Sequence, residues 1–492
     1  MALSEKRETQ KGKSENLGKI IGYVLATVFF IVGCVTIAIG VNIGMVPGKI
    51  LLLIGVGVTA FTVLFVALQT WKIPGMVAKV LSVILSILLI FGCYWANYTK
   101  AKIKNMSGIR TQIDNIQVYV KADDPANDVM DAKTYAFGIL KELDRENTDA
   151  VVKDISDEVG VTIGTYECND VYEMVDALYT GKVQAIILNS GYEGPLMETE
   201  GYQDFQSRVK SIAFKDIEKE IATEEKKEEL IYGENTLTLY ISGVDTRGSA
   251  NVNSNSDVNI ICVLNFKTHQ ILLIHTPRDF YVPLSISKGA KDKLTHAGGH
   301  GIDVSVETME LLYGVNIDDY VRVNFAGFVD IVDAMGGLDV NSEVAFSQDG
   351  FYYNEGINHL NGEEALYFAR SRNFENGDRQ RGRDQMIVIE AMVDKATTTD
   401  FLKNYGDVLD KVSNTLVTSM DYDEIADLVK SQMEKNVKWD VQRYSVDGFD
   451  SSGACWSSGS QVLYVMEPDQ TKVDQAKKYL KQIYMDEVVK VD

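Results

Sequence analysis

The stretch TLTLYISGVDTRG (236–248) alternates apolar and polar residues as far as Ser242, then turns at a glycine into a segment that carries Asp245 and Arg247. A period of two is the pattern of a β-strand. A Gly/Ser/Asn-rich loop leads to Ser256-Asp257 and a second strand, Val258–Phe266. After a turn at Lys267–Gln270, a third strand, Ile271–His275, stops at Thr276-Pro277-Arg278-Asp279. Each polar group sits at the end of an apolar strand, and ligands of open α/β sheets bind at strand ends. Helices are predicted at Asp303–Tyr313, Phe325–Met335 and Asn361–Phe368. Asn361 caps the last of these, with Glu363 and Glu364 in its first turn, and Gly336-Gly337 ends the second. A further helix over 382–396 carries Met386, Ile389 and Val393 on one face. Two more helices, a strand pair near 439–446 and 461–466, and a final helix from Thr471 complete the chain. Residues 231–492 thus read as a large α/β domain, a central mixed sheet flanked by helices.

Within that domain, LYFARSRNFENGDRQRGRDQ (366–385) holds five of the 13 arginines of a chain whose formal net charge is -22. They are Arg370, Arg372, Arg379, Arg381 and Arg383. Arginine offers a rigid fork of donors that fits phosphate oxygens two at a time. Arg370 and Arg372, two apart, are expected on one side of an extended segment, and Asp378, Arg381 and Gln385 follow helical spacing. The basic island reads as a phosphate or pyrophosphate cradle, or else as a solvated basic loop. Asp245 and Asp257, acids at neighbouring strand ends, suit a hard cation such as Mg²⁺. Singly, such an Asp is a turn residue and Arg278-Asp279 a local salt bridge. Together they point to phosphoryl or pyrophosphate chemistry.

Working outward, 492 residues suggest two to four domains. Residues 1–19 are a polar tail. Ile20–Val41, Ile50–Thr70 and Val80–Tyr98 are apolar runs long enough to cross a bilayer, so 20–98 reads as three transmembrane helices. Trp71, Tyr94, Trp95 and Tyr98 stand at run ends. Lys6, Arg7, Lys11, Lys13 and Lys19 precede the first run, and Lys72 and Lys79 lie between the second and third. The positive-inside rule places the tail in the cytoplasm and the chain from about 99 outside; Lys100, Lys102 and Lys104 count the other way. Residues 99–230 read as a connection followed by a small extracellular α/β accessory domain. Its elements are a strand at Ile116–Lys121, a helix at Ala132–Arg145, strands at Val161–Tyr166 and Val183–Asn189, an Asp-capped helix at 170–180, and a solvated helix or linker at Phe214–Tyr232. The five cysteines and five histidines form no CxxC, HExxH or disulfide framework, and neither a P-loop nor a GxSxG is present. No nucleic-acid partner is expected.

The ordered motifs SGVDTRG (242–248), SDVNIICVLN (256–265), TPRDFYVPL (276–284), KDKLTHAGGHGID (291–303), LLYGVNIDDYVRVNF (311–325), DAMGGLDV (333–340), LNGEEALYFARSR (360–372) and DRQRGRDQ (378–385) resemble the LytR-CpsA-Psr family, most of all its capsule-assembly branch. The resemblance is dense over about 236–400. It implies a Mg²⁺-dependent phosphotransferase on the outer face of a Gram-positive membrane, moving a glycopolymer from a polyprenyl-pyrophosphate carrier to peptidoglycan, with capsule-assembly proteins as further partners. By position, Asp245 and Asp257 would hold the metal. Arg278, Arg370, Arg372 and Arg381 would grip the pyrophosphate with Gln385 beside them; Lys293 and Asp279 match other polar positions of the site. Arg247 and Asp378 are expected to contact substrate, and Asp279 is the candidate base. The lipid tail would lie in an apolar channel between sheet and helices. One position departs from the pattern: the family commonly has arginine before Ser-Asp, and here it is Asn255. The competing functions are a polyprenyl-pyrophosphate hydrolase and a non-enzymatic membrane sensor.

Overall fold

The computed structural model describes residues 2–221, 230–244, 249–374, 377–398, 416–459 and 461–491, with the side chains of 2–14 and of Asp378 outside the description. Two units form. Among the described residues, the first holds 2–107 and 421–437, and the second holds the rest from 108 onward.

In the first unit, α1 (Ala2–Ile43), α2 (Gly48–Leu68) and α3 (Lys72–Met106) contain three stretches long and apolar enough to cross a membrane. Their interior is small, built on Ala26, Phe29, Val58, Phe65 and Ala78. Large apolar side chains such as Leu52 and Ile73 point outward. That inverted pattern suits lipid as solvent. A helix at Tyr422–Lys435 packs Tyr422 and Ala426 on Ile43, Met45 and Ile103, and the Tyr422 hydroxyl donates to the Ile43 carbonyl at 2.8 Å.

The second unit holds two sheets. The first runs in the order β3 (Gly164–Cys168), β2 (Ala136–Leu140), β4 (Ala185–Asn189), β1 (Thr111–Lys121), β5 (Val209–Glu220). β2 is parallel to β3 and β4, whereas β1 runs antiparallel to β4 and β5. The helices are α4 (Arg145–Val159), α5 (Val171–Tyr179) and the short α6 (Glu193–Glu198). Asp170 caps α5 by accepting from Glu173 N, as its sequence predicts. Two expectations fail. Residues 132–145 are not helical; their core is the buried strand β2, and the helix starts only at Arg145. From 214 the chain stays in β5 to Glu220, where exposed and half-buried residues alternate.

The second sheet has the order β10 (Leu416–Thr418), β9 (Asp319–Asn324), β6 (Thr236–Val244), β7 (Ser256–Asn265), β8 (Gln270–His275), β11 (Asp440–Ser445). It is mixed: β9 is parallel to β6 and β11 to β8, and the other pairs are antiparallel. The strand at 440–445 therefore joins the sheet edge rather than pairing with 462–468, which pairs with Gly448–Ala454. α7 (Leu294–His300), α8 (Ile302–Tyr313), α9 (Phe325–Ala334), α10 (Gly362–Arg370), α11 (Gly377–Ala396) and α12 (Gln470–Tyr484) surround it. Alternation sends Tyr240, Ile261 and Ile274 to one face, packed with Met309 of α8 and Leu480 of α12. It sends Ile260, Cys262 and Leu273 to the other, packed with Met386, Ile389 and Val393 of α11.

Candidate functional site

The register gathers the chemistry at one end of the second sheet. Val244, the last residue of β6, lies opposite Ser256, and His275, the last of β8, lies opposite Ile260. Asp257 thus stands beside the loop that carries Arg278 and Asp279. Arg278 donates from Nη1 to Asp257 Oδ1 at 2.7 Å and from Nη2 to Glu198 Oε1 at 2.9 Å, and its Nε lies 3.6 Å from Asp279 Oδ2. Lys293 donates from Nζ to Glu198 Oε2 at 2.7 Å and lies 3.1 Å from Asp279 Oδ1. The Lys293 and Asp279 side chains are only 5% and 6% exposed. Burial alone would strip the charge from these groups. Three carboxylates outweigh it and keep Arg278 firmly protonated, and Asp279 and Glu198 do the same for Lys293. Burial would likewise raise the Asp279 carboxyl, yet the charges of Arg278, Lys293 and Arg381 hold it below the ordinary range.

Lys293 owes its position to a buried knot. It ends the short strand Lys291–Lys293, paired with Tyr281–Pro283, and precedes α7. Beside it Asp292 binds His296 Nδ1 at 2.6 Å and accepts from Ser457 N at 2.7 Å. Burial pushes the Asp292 carboxyl up, but His296 and Ser457 outweigh this and hold it at about 2. Asp292, His296 and Cys455 bring donor atoms within 4.8 Å of one another. Asp292 is already satisfied there by protein donors, so the knot serves as an anchor for Lys293.

The arginine stretch divides into two kinds of residue. Arg370 does not lie on an extended segment with Arg372: it is the last residue of α10, because the capping box of Asn361 and Glu364 starts a helix that continues to 370. It is exposed, its guanidinium 4.2 Å above the Phe325 ring, and Arg372 is exposed just beyond the helix. Arg381 and Gln385 are buried on α11, and Gln385 donates to the Ala369 carbonyl at 3.4 Å, tying α11 to the end of α10. The charge of Arg381 acts on Asp279 and on His275. Arg379 and Arg383 are structural: Arg379 donates to Asp447 at 2.6 Å and Arg383 to Glu343 at 3.1 Å. Asp245 and Arg247, in 245–248, and the side chain of Asp378 lie outside the described residues. The carboxylate of Asp257, 22% exposed at the start of β7, accepts from Arg278 and is the described member of the pair expected to hold a metal.

Two features were not read from the sequence, and a third, Asn255, was read only as a departure from the family pattern. Glu198 comes from the end of α6 and is joined to Arg278 only by folding. Asn255 sits under that same segment: a Cβ at Gly194 would overlap its amide, and one at Gly191 would overlap the Gly299 carbonyl. Arg322, fully buried on β9, donates from Nη2 to the Ser254 carbonyl at 3.2 Å and so braces the loop before Asp257. A buried arginine in a strand is a signal the sequence did contain.

The sequence model of the LytR_cpsA_psr family matches residues 205–482. The polyisoprenyl-teichoic acid–peptidoglycan teichoic acid transferase TagU of Bacillus cereus is 36% identical over 243 residues, which are 48% of this chain and 76% of that protein. TagU of Bacillus mycoides is 34% identical over 240 residues, again 48% of this chain and 76% of its own length. A crystal structure of Bacillus subtilis TagV is 28% identical and covers 52% of this chain and 99% of its own, with a TM-score of 0.43.

Proposed function

The chain belongs to the LytR-CpsA-Psr family, and on that premise we propose that it is a Mg²⁺-dependent phosphotransferase. It moves a glycopolymer, capsular polysaccharide or a related anionic wall polymer, from a polyprenyl-pyrophosphate carrier to peptidoglycan on the outer side of the membrane. The observation that supports this most is the pair Arg278 and Lys293, half-buried and buried at the strand ends, kept charged by carboxylates, with Arg381 buried on α11 beside them. Fixed cations of this kind stabilise phosphoryl charge without reorganising at the moment of reaction.

An acceptor hydroxyl oxygen attacks the polymer-side phosphorus. A new P–O bond forms as the hydroxyl proton passes to water, the bond to the bridging oxygen breaks, and polyprenyl phosphate departs carrying the added negative charge. Arg278, Lys293 and Arg381 receive that charge, and Arg370 and Arg372 reach it from the exposed end of α10. Asp245 and Asp257 are the residues that would hold Mg²⁺, which would supply further neutralisation of that charge. Asp279 stays ionised but doubly paired, so it orients Arg278 and Lys293 more readily than it takes the hydroxyl proton. Leu239, Ile241 and Val258, half-buried on the α11 face of the sheet, offer the lipid tail an apolar path.

The test uses the full chain in a lipid bilayer with a polyprenyl-pyrophosphate-linked oligosaccharide, with and without Mg²⁺ and peptidoglycan fragments. The expected result is Mg²⁺-dependent release of lipid phosphate that rises when fragments are added, with oligosaccharide joined to them by mass spectrometry. Rapid release that ignores the fragments, with no joined product, favours a hydrolase. Tight binding without release favours a sensor.

A further inference from the structure

We infer that Glu198 competes with the carrier's pyrophosphate for Arg278 and Lys293, so that the segment carrying it sets how tightly the carrier is held. This rests on the anion-binding reading of the site above. Glu198 bridges the two cations with one oxygen each, at 2.9 Å to Arg278 Nη2 and 2.7 Å to Lys293 Nζ. Two oxygens of a phosphate would take the same two donors in the same way. The charge count sharpens the competition. With Arg381 acting on Asp279, three cations face three carboxylates, Asp257, Asp279 and Glu198, so the core of the cradle carries no surplus positive charge until Glu198 swings away.

The three carboxylates differ in how they can leave. Asp257 and Asp279 belong to the same sheet-end segments as Arg278, and Asp279 is 6% exposed. Glu198 is 22% exposed and is the last residue of α6, followed by extended Thr199 and a turn at Gly201 with φ 91°. The start of its segment is pinned, Gly191 against Gly299 and Gly194 against Asn255. Rotation of the Glu198 side chain alone therefore frees both donors and leaves the backbone in place.

Asn255 belongs to the same contact: Gly194 packs so closely on it that a Cβ there would overlap the Asn255 amide. The α6 segment thus meets a neutral amide at 255 and brings a carboxylate to the cations.

The experiment measures binding of farnesyl diphosphate to the full chain in detergent with Mg²⁺, for the native protein, Glu198→Gln and Glu198→Asp, with thermal melts to confirm folding. Glu198→Gln keeps the shape and removes the charge. It is expected to bind about ten-fold more tightly, with KM for the lipid-linked substrate falling further than kcat changes. Glu198→Asp, too short to span both cations, is expected between the two. Unchanged affinity with a large fall in kcat would make Glu198 a participant in proton transfer and overturn the proposal. Weaker binding with a higher Mg²⁺ requirement would make it a metal ligand, with the same consequence. If the native protein and both variants fail to bind the diphosphate, the anion reading of the site falls, and the proposal with it.

Discussion

Arg278 meets a different carboxylate with each of its three nitrogens: Asp257, Glu198 and Asp279. A lysine ammonium on a flexible stem keeps the charge but loses the planar fork. Arg278→Lys is therefore expected to lower kcat/KM by about 10²-fold, a loss of about 2.7 kcal/mol in transition-state stabilisation. Native activity in that variant would mean that charge alone is needed there. A second residue-scale effect concerns pH. Asp384, buried on α11, takes a hydrogen bond from Gln380 at 2.9 Å, yet burial pushes its carboxyl up to about 7. An acid whose folded pKa is raised keeps its proton in the native state after the unfolded chain has released it. Stability then falls as pH rises from the unfolded value, near 3.8, through the folded one, about 7, and levels off above it. Asp384→Asn removes this dependence. It is expected to match the native protein near pH 4 and to exceed it at pH 8 by roughly 2–4 kcal/mol, read from urea midpoints. An equal difference at both pH values would refute the assignment.

At the scale of elements, α11 matters through where it touches the sheet. Its backbone passes so close to His275 that a Cβ on Gly382 would overlap the imidazole, and that ring is held by Ser445 Oγ at 2.9 Å. Gly382→Ala must lift the helix that carries Arg381 and Gln385. The expected cost is about 1–3 kcal/mol of stability, with lipid-substrate KM raised even where the protein is fully folded. A variant with native KM and native midpoint would show that α11 has slack at this contact. The helix itself was legible in the sequence, as were the capped starts at Asp170 and Asn361, because caps and helical spacing are local signals. β2 was not. AFGIL is buried on both faces, so it shows no alternation and reads equally as part of a helix. β5 failed for the opposite reason: its Lys and Glu residues look helical, although half-buried and exposed positions alternate along that part of it. In the site, Asp257, Arg278 and Asp279 were legible because each sits in a short motif at a strand end, and Lys293 only through the resemblance to the family. Glu198 was not, since nothing near it in sequence records that α6 folds against Arg278.

At the scale of the molecule, the two sheets of the larger unit share a buried seam. Asp114 of β1 accepts from Asn147 at 2.7 Å, from Asn253 at 2.9 Å and from Lys219 at 2.8 Å, and Gln112 accepts from Ile302 N at 2.9 Å. Burial would raise the Asp114 carboxyl, but Lys219 and these amides hold it below the usual range, so the seam stays ionic at neutral pH. The first sheet is thus built into the same unit as the second, so both are expected on one side of the membrane. The topology we propose rests on three apolar helices and on the lysines before the first and between the second and third: the tail in the cytoplasm, residues from about 99 outside. The native cysteines are buried or lie in the spans, which leaves introduced ones readable. Tyr352 is 66% exposed on the larger unit, and Glu15 is exposed at the start of the first span. A membrane-impermeant maleimide is expected to label Tyr352→Cys on intact cells and to label Glu15→Cys only after permeabilisation. The reverse pattern would refute the topology. It would also refute transfer to peptidoglycan, because the cations around Arg278 would then face a compartment that holds no wall acceptor.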